Sequence, residues 1–112
     1  MRWRQRPSLA NRRLAATSAV VKVDDALKGG EEKALIAVFG GCYKAGTTWN
    51  YLAACEVFEV RQNSRWHKLP DLRRKRAGLT AVSIPGDNRV FLFGGEDDAA
   101  KIATVEFCFL RA

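Results

Sequence analysis

Few side chains in this sequence are of the types that carry catalysis or bind metals. The 112 residues include one histidine, His67, and three cysteines, Cys42, Cys55 and Cys108. The cysteines show no CxxC spacing, so the sequence indicates neither a structural zinc site nor a disulfide framework. Glu96 to Asp98 could supply oxygen ligands to a hard cation, but a solvated acidic loop is the simpler interpretation. No Ser-His-Asp or paired-carboxylate arrangement stands out, so we predict a non-enzyme without metal or cofactor.

The basic residues are more informative than these groups. The formal net charge is +7, and most of the 19 lysines and arginines lie in residues 1–23 and 61–76. Clusters of this kind suit an acidic protein partner, and they also suit the phosphates of RNA or DNA. The first segment has no acidic residue and contains Ser and Thr, which is also typical of a mitochondrial transit peptide.

The two basic segments are copies of each other. Over residues 3–21, a shift of 63 residues superimposes five identical pairs, namely Trp3 on Trp66, Pro7 on Pro70, Leu9 on Leu72, Arg13 on Arg76 and Thr17 on Thr80. A shift of 54 places Phe39-Gly40-Gly41 on Phe93-Gly94-Gly95, and a shift of 50 places Glu56 on Glu106. The order of the features is kept while the offset changes, which indicates a repeated unit with loops of different length. The copied order also argues against a cleaved leader at the start of the chain.

Short apolar runs bounded by turn residues predict β-strands in each unit. The runs 34–39 and 90–93 end in paired glycines, and Pro85-Gly86-Asp87-Asn88 is a turn cluster between two such runs. Eight strands are expected, near residues 2–5, 15–23, 34–40, 54–60, 65–69, 77–84, 89–94 and 104–110. Joined by short links, they make an antiparallel meander, so the predicted fold class is all-β.

A unit of about 50 residues with four strands is typical of a β-propeller blade. The segment RWHKLPDLRRKRAGLTAVSIPGDNRVFLFGG, residues 65–95, resembles the kelch repeat, and CEVFEV (55–60) and VEFCF (105–109) resemble its third strand. The resemblance implies an incomplete kelch-type β-propeller of about two four-stranded antiparallel blades. Residues 1–14 would give the last strand and linker of a preceding blade, residues 15–69 one complete blade, and residues 70–112 a linker and three strands of the next.

Large aromatics and paired glycines are expected to build the packing between blades. The predicted structural residues are Trp3, Gly40, Gly41, Phe58, Trp66, Gly94 and Gly95. Arg13 and Arg76 are expected to donate hydrogen bonds to backbone carbonyls between blades. Two blades cannot close a ring, so the sequence predicts a fragment or a chain that self-associates through exposed blade faces.

In an up-and-down blade, the linkers 5–13 and 69–76 share one end with the loops 42–52 and 96–103. The resemblance implies that a protein partner binds there, since arginine and aromatic residues are common in interface hot spots. The partner-binding candidates are Arg12, Arg13, Tyr43, Trp49, Tyr51, Arg73, Arg74, Lys75 and Arg76. The unpaired cysteines favour a reducing, cytoplasmic location. RNA or DNA binding by the same basic face is the alternative, and an enzyme fragment is a third.

Overall fold

The computed structural model describes residues 2–25, 31–61, 64–84 and 86–110, and the strands among them confirm the all-β class. All their pairings are antiparallel. In chain order the strands are β1 (Thr17–Asp25), β2 (Glu31–Phe39), β3 (Cys42–Ala45), β4 (Thr48–Tyr51), β5 (Cys55–Glu59), β6 (His67–Leu69), β7 (Thr80–Ser83), β8 (Arg89–Phe93) and β9 (Val105–Phe109). This described part contains no helix, and therefore none long and apolar enough to span a membrane.

The strands form two larger sheets and a separate hairpin. The first sheet has the order β1-β2-β5-β6, the second has the order β7-β8-β9, and β3 pairs with β4. Each sheet follows the chain as a meander apart from the β3–β4 hairpin, which projects between β2 and β5. None of these sheets closes on itself.

Period-two alternation in β1 and β2 explains how the sheets pack. Alternate residues of β1 (Ala19, Val21, Val23) and β2 (Leu35, Ala37, Phe39) are buried on one face of the first sheet. They share one core with the second sheet, including Val90 and Leu92 of β8. The two sheets therefore stack face to face and depend on the same apolar cluster.

Paired glycines end β2 and β8, where the backbone must turn close to another strand. Gly41 has φ +103°, and a Cβ there would lie 2.8 Å from the Leu14 carbonyl oxygen. Gly95 has φ +92°, and its Cβ would lie 2.7 Å from the Ala77 carbonyl oxygen. Their neighbours Gly40 and Gly94 also have positive φ, at +62° and +64°. A side chain at these positions meets strain, as a structural role for the four glycines requires.

Two sequence predictions are wrong in detail. Residues 2–5 do not form a strand, because no described strand lies beside them, and Trp3 is 94% exposed instead of packed. The predicted loop 42–52 instead contains the β3–β4 hairpin, which turns at Gly46. Pro85 of the predicted turn lies outside the described residues, but Asp87 N–H donates to the Ile84 carbonyl at 3.0 Å across it.

Phe58 and Trp66 do pack, but within one sheet. Phe58 is buried, and its ring centroid lies 5.2 Å from that of Trp66 on the neighbouring chain segment. Trp66 Nε1 donates to the Pro7 carbonyl at 3.0 Å, and the Arg6 guanidinium lies 5.6 Å above the Phe58 ring. The segment around Pro7 thus partly covers the face of the first sheet that is turned away from the second.

Candidate functional site

The two basic linkers and the two loops lie at one end of the sheets, as the sequence predicts. Leu14, at the end of the first linker, exchanges two backbone hydrogen bonds with Cys42 of β3, at 2.7 and 2.8 Å. Ala77, at the end of the second linker, exchanges two with Glu96, both at 2.9 Å. Arg76 N–H also donates to the Leu52 carbonyl at 3.1 Å, which joins the second linker to the first sheet. The first linker reaches this end only from about residue 10, because Arg6 donates to the Arg61 carbonyl beyond the opposite end of β5. We call the surface formed by residues 10–13, 42–52, 69–76 and 96–103 the loop end.

The β3–β4 hairpin carries the aromatic residues of the loop end. The register pairs Lys44 with Trp49 and Cys42 with Tyr51, so Lys44, Trp49 and Tyr51 lie on one side of the hairpin. Trp49 is 45% exposed, and the Lys44 ammonium lies 5.7 Å from its ring centroid. Tyr43 pairs with Asn50 on the other side and is half-buried. A short two-stranded hairpin thus presents an indole and a cation outward.

Tyr51 connects the hairpin to the acidic loop of the second sheet. Burial raises the pKa of Tyr51, and the neighbouring negative charges of Glu96, Asp98 and Asp97 raise it further. The side chain is half-buried. The Tyr51 hydroxyl is therefore within electrostatic range of all three carboxylates of residues 96–98.

Asp97 fixes the geometry of that acidic loop. Its carboxylate accepts a hydrogen bond from Arg74 Nε at 2.9 Å and from the backbone N–H groups of Ala100 and Ala99, both at 2.9 Å. The Arg74 guanidinium, followed by these two amides, lowers the pKa of Asp97 to about 2. Arg74 is therefore engaged by Asp97 although its side chain is 41% exposed, whereas Arg12, Arg73 and Lys75 are exposed and pair with no carboxylate among the described residues.

Arg13 and Arg76 are not surface groups, so their assignment as partner-binding residues is wrong. Their side chains are 2% and 1% exposed. Arg13 Nη1 donates to the carbonyls of Gly40 and Ala54, at 2.8 and 2.6 Å. Buried guanidinium groups of this kind stabilise a loop junction and cannot reach a partner.

The second arginine repeats the arrangement of the first. Arg76 Nη1 donates to the carbonyls of Gly94 and Thr104, at 3.1 and 2.7 Å, and Nη2 donates to the Thr104 hydroxyl at 2.7 Å. Both arginines therefore bond carbonyls of their own sheet, whereas the expectation was a bond between blades. The link between sheets is made by the Arg76 main chain, whose carbonyl accepts from Gly41 N–H at 2.7 Å.

A glutamate completes each copy, buried in the first and half-buried in the second. Glu56 Oε2 lies 2.9 Å from Arg13 Nη2, and its Oε1 accepts from Ala10 N–H at 2.8 Å. Glu106 Oε1 likewise accepts from Arg73 N–H at 2.8 Å. Glu106 Oε2 lies 2.9 Å from Arg76 Nη2 but off the line of its N–H, so that contact is an ion pair without a hydrogen bond. We call each set of arginine, glutamate and carbonyls an arginine lock.

The sequence contained the signal for these locks, since shifts of 63 and 50 align both arginines and both glutamates. The signal did not say that an arginine and a glutamate 43 residues apart would meet. The roles of Lys44 beside the Trp49 ring and of Asp97 in the acidic loop were also missed, because neither role produces a recognisable residue spacing in the sequence.

The described residues offer little for catalysis. Burial raises the pKa of Cys55 to about 11 and also raises that of Cys108, so both thiols are poor nucleophiles near neutral pH. His67 is exposed on β6. No group of three or more His, Cys, Asp or Glu side chains in the described ranges is placed to hold a metal ion. Comparisons of the chain with protein-family models, curated proteins and solved structures find no match.

Proposed function

We propose that this chain is a protein-interaction module of the kelch-repeat type, which binds an acidic segment of a protein partner at the loop end. The support for the kelch type is the repeat itself. A four-stranded and a three-stranded antiparallel sheet stack face to face, and each carries the same arginine lock and glycine pair. Stacked four-stranded sheets with a repeat of about 50 residues are the architecture of propeller blades.

The observation that carries the binding proposal is the exposed indole of Trp49 beside Lys44 and Tyr51. A rigid, partly exposed aromatic next to cations is the composition of a binding hot spot. The hairpin that holds Trp49 is tied to Leu14 and Leu52 by backbone hydrogen bonds, so the indole is presented on a fixed support. Binding to such a site costs little ordering of the protein.

Charge supports an acidic partner. The exposed cations of the loop end are Arg12, Lys44, Arg73, Lys75 and Lys101. The carboxylates of Glu56, Glu106 and Asp97 are already engaged by Arg13, Arg76 and Arg74. The cations that face solvent therefore exceed the exposed acids Asp71, Glu96 and Asp98, and a negatively charged segment complements this surface.

Selection from a random-peptide display library on the purified chain tests the proposal. We expect acidic peptides with an apolar anchor, and we expect Trp49→Ala to weaken them by about 30-fold, which corresponds to ~2 kcal/mol. Lys75→Glu should weaken them as well. The matched control is Val60→Ala, because Val60 is similarly exposed, at 52%, but lies at the opposite end of β5.

Two outcomes would count against a peptide site at the loop end. One is that every selected peptide binds Trp49→Ala and Lys75→Glu as well as the original chain. The other is that random single-stranded RNA or DNA binds the chain with an affinity that falls steeply with salt and is lost in Lys75→Glu. That second result would favour the nucleic-acid alternative.

A further inference from the structure

The outer edge of β9 has no strand beside it among the described residues. In the first sheet β5 lies between β2 and β6, whereas its copy β9 pairs only with β8. A shift of 50 places residues 105–107 on residues 55–57, which are the residues that pair with β6. An open edge of this kind readily accepts another strand. The second sheet is therefore one strand shorter than the first.

A copy of the absent strand lies near the start of the chain. A shift of 63 places residues 4–6 on β6 and Trp3 on Trp66. Residues 4–6 pair with no described strand, and Trp3 is exposed where its copy stacks on Phe58. The β9 edge of the same chain is out of reach, because Arg6 lies over Phe58 on one face of the first sheet and the second sheet covers the other.

Cross-strand rows show which faces of the two sheets meet. The row of the first sheet that is turned towards the second is Ala19, Ala37 and Val57. The row of the second sheet that faces it is Ser83, Val90 and Cys108. The opposite faces carry two further rows, which are Val20, Ile36 and Phe58 in the first sheet and Val82, Phe91 and Phe107 in the second.

These rows are related by the repeat. The same three shifts place the covered row Ala19-Ala37-Val57 on Val82-Phe91-Phe107, where Val82 is 46% and Phe107 56% exposed. They also place Val20-Ile36-Phe58 on the covered row Ser83-Val90-Cys108. The sheets thus stack front to back. The uncovered face of the second sheet is the copy of the Ala19-Ala37-Val57 face. Within the chain, that face is covered by the row Ser83-Val90-Cys108, which is the copy of Val20-Ile36-Phe58.

We infer that a second copy of the chain provides both missing parts at once. Residues 4–6 of one copy pair with β9 of its neighbour, and the Val20-Ile36-Phe58 face of that copy packs on the neighbour's Val82-Phe91-Phe107 face. This contact between copies has the same front-to-back geometry as the contact between the two sheets of one chain. It pairs the open edge of β9, covers Trp3 and buries the apolar face of the second sheet.

The amino-terminal segment already lies where this assembly requires it. Arg6 contacts Phe58 and donates to the Arg61 carbonyl at 2.7 Å, so it lies against the outer face of the first sheet. Its copy Leu69 lines the cavity between the sheets together with Cys108, which is the copy of Phe58. The neighbour's second sheet can therefore join the segment without a large rearrangement.

A front-to-back contact uses two different surfaces, so it generates a ring where the rotation closes and a filament where it does not. If the two sheets are propeller blades, as proposed above, each copy contributes two blades. Rings of about two to four copies then have the roughly four to eight blades that are usual in propellers. The pairing itself rests only on the internal repeat, and it leaves the loop end accessible.

Disulfide trapping tests the predicted neighbour contact directly. Trp66 and Phe58 lie one residue beyond the paired part of β5 and β6, where their rings stack. Trp3 should therefore lie opposite Cys108 of the next copy, at a Cα separation of about 4.5–5.5 Å where the pairing continues. That range allows a disulfide. We expect oxidised Trp3→Cys protein to form a ladder of linked chains, with the bond mapped between position 3 and Cys108.

The controls decide what a ladder means. Trp3→Cys combined with Cys108→Ser should give no ladder, and Trp49→Cys, which places an exposed thiol at the loop end, should give none through Cys108. Links only between two introduced thiols, or no link between chains, would overturn the inference.

Sedimentation provides a second measurement that needs no oxidation. We expect the chain to associate between micromolar and millimolar concentration, and Phe107→Glu to weaken association by at least about tenfold, because it buries a carboxylate in the contact. The double variant Arg4→Pro, Gln5→Pro should also weaken association. One of two adjacent backbone N–H groups in a strand points to the paired strand, here β9, and proline has no N–H to donate. Trp49→Glu should associate normally, which separates this surface from the peptide site. A monodisperse monomer throughout that concentration range contradicts the inference.

Discussion

The guanidinium of Arg76 is almost fully buried, and three parts of the chain meet around it. Its side chain bonds the end of β8, the approach to β9 and Glu106, while its backbone bonds the first sheet. One N–H, at Nε, has no acceptor, as is also true of Arg13. Without the guanidinium, the Glu106 carboxylate would lose its counter-ion, and the carbonyls of Gly94 and Thr104 would each lose a hydrogen bond.

We predict that Arg76→Met lowers the free energy of unfolding by ~3–5 kcal/mol, since it removes the counter-ion of Glu106 and a hydrogen bond from each of two carbonyls. Arg76→Lys should also be costly, because an ammonium cannot reproduce the planar set of donors. Urea unfolding measures both changes. The control is Lys75→Met, an exposed neighbour expected to change stability by less than about 0.5 kcal/mol. Equal effects at positions 75 and 76 would contradict a lock at Arg76.

Substitutions of Gly46 and Gly95 by alanine separate the cost of a left-handed backbone from the cost of a steric clash of the added Cβ. Gly46 has φ +62°, and a Cβ added there would meet no atom within 4 Å, so Gly46→Ala should cost only ~1–2 kcal/mol from the left-handed backbone. Gly95→Ala should cost ~1–3 kcal/mol more, because its Cβ would meet the Ala77 carbonyl. Thermal unfolding of the two variants checks this order, and a reversed order would contradict it.

At the scale of elements, the loop from Glu96 to Lys101 is held by one carboxylate. Asp97 receives Arg74 and two backbone amides, while its own N–H donates to the Ala100 carbonyl at 3.0 Å. This set of bonds orders a short loop next to Tyr51 and so shapes the loop end.

The depressed pKa of Asp97 predicts a specific dependence of stability on pH. An ordinary Asp titrates near 3.8, and here the value is about 2, so the folded state favours the charged form. This contribution is complete above pH 3.8 and is lost as the pH falls towards 2. We expect Asp97→Asn to lose this part of the pH dependence in urea midpoints. Arg74→Met should lose it in part, because the two amides remain. An unchanged pH profile in Asp97→Asn would contradict the assignment.

The strands with strong apolar alternation were predictable, and those that depend on a neighbour were not. Runs such as 34–39 closed by Gly-Gly carry a local signal, and the structure places strands there. Residues 2–5 copy a strand in sequence, but a strand also needs a partner, and no described strand lies beside them. The β3–β4 hairpin was missed because Cys42 to Leu52 mixes polar and aromatic residues without a hydrophobic run.

The same limit applies to the loop end. The meander and the linker positions predicted correctly that linkers and loops converge. Residue type alone could not separate Arg12, which is exposed, from Arg13, which is buried. That distinction depends on which side chain reaches Glu56 and two carbonyls, and only three-dimensional packing decides it.

At the scale of the whole molecule, the two sheets share one core. Phe39 of the first sheet is 1% exposed, whereas its copy Phe93 in the second sheet is 41% exposed. The pair has the same residue type and the same repeat position, and it differs in whether another sheet lies on top. Burial by the neighbouring sheet is therefore the variable that the two phenylalanines report.

We predict that Phe39→Ala lowers the free energy of unfolding by ~3–5 kcal/mol and that Phe93→Ala costs markedly less in dilute solution. Pulse alkylation of Cys55 and Cys108, one in each sheet, should report a single urea midpoint in every variant, because neither sheet keeps its core alone. Two separate midpoints, or equal costs for the two phenylalanines, would contradict a shared core.

The duplicated arginine lock gives the chain an internal reference. Any chemical change made at Arg13 or Glu56 can be repeated at Arg76 or Glu106, in the same solvent and at the same temperature. Glu56 is 5% exposed and hydrogen-bonded to Arg13, whereas Glu106 is 15% exposed and paired with Arg76 without a hydrogen bond, so the difference between the two costs reports hydration and hydrogen-bond geometry together. Two arginine–glutamate pairs of different exposure can thus be compared within one small protein.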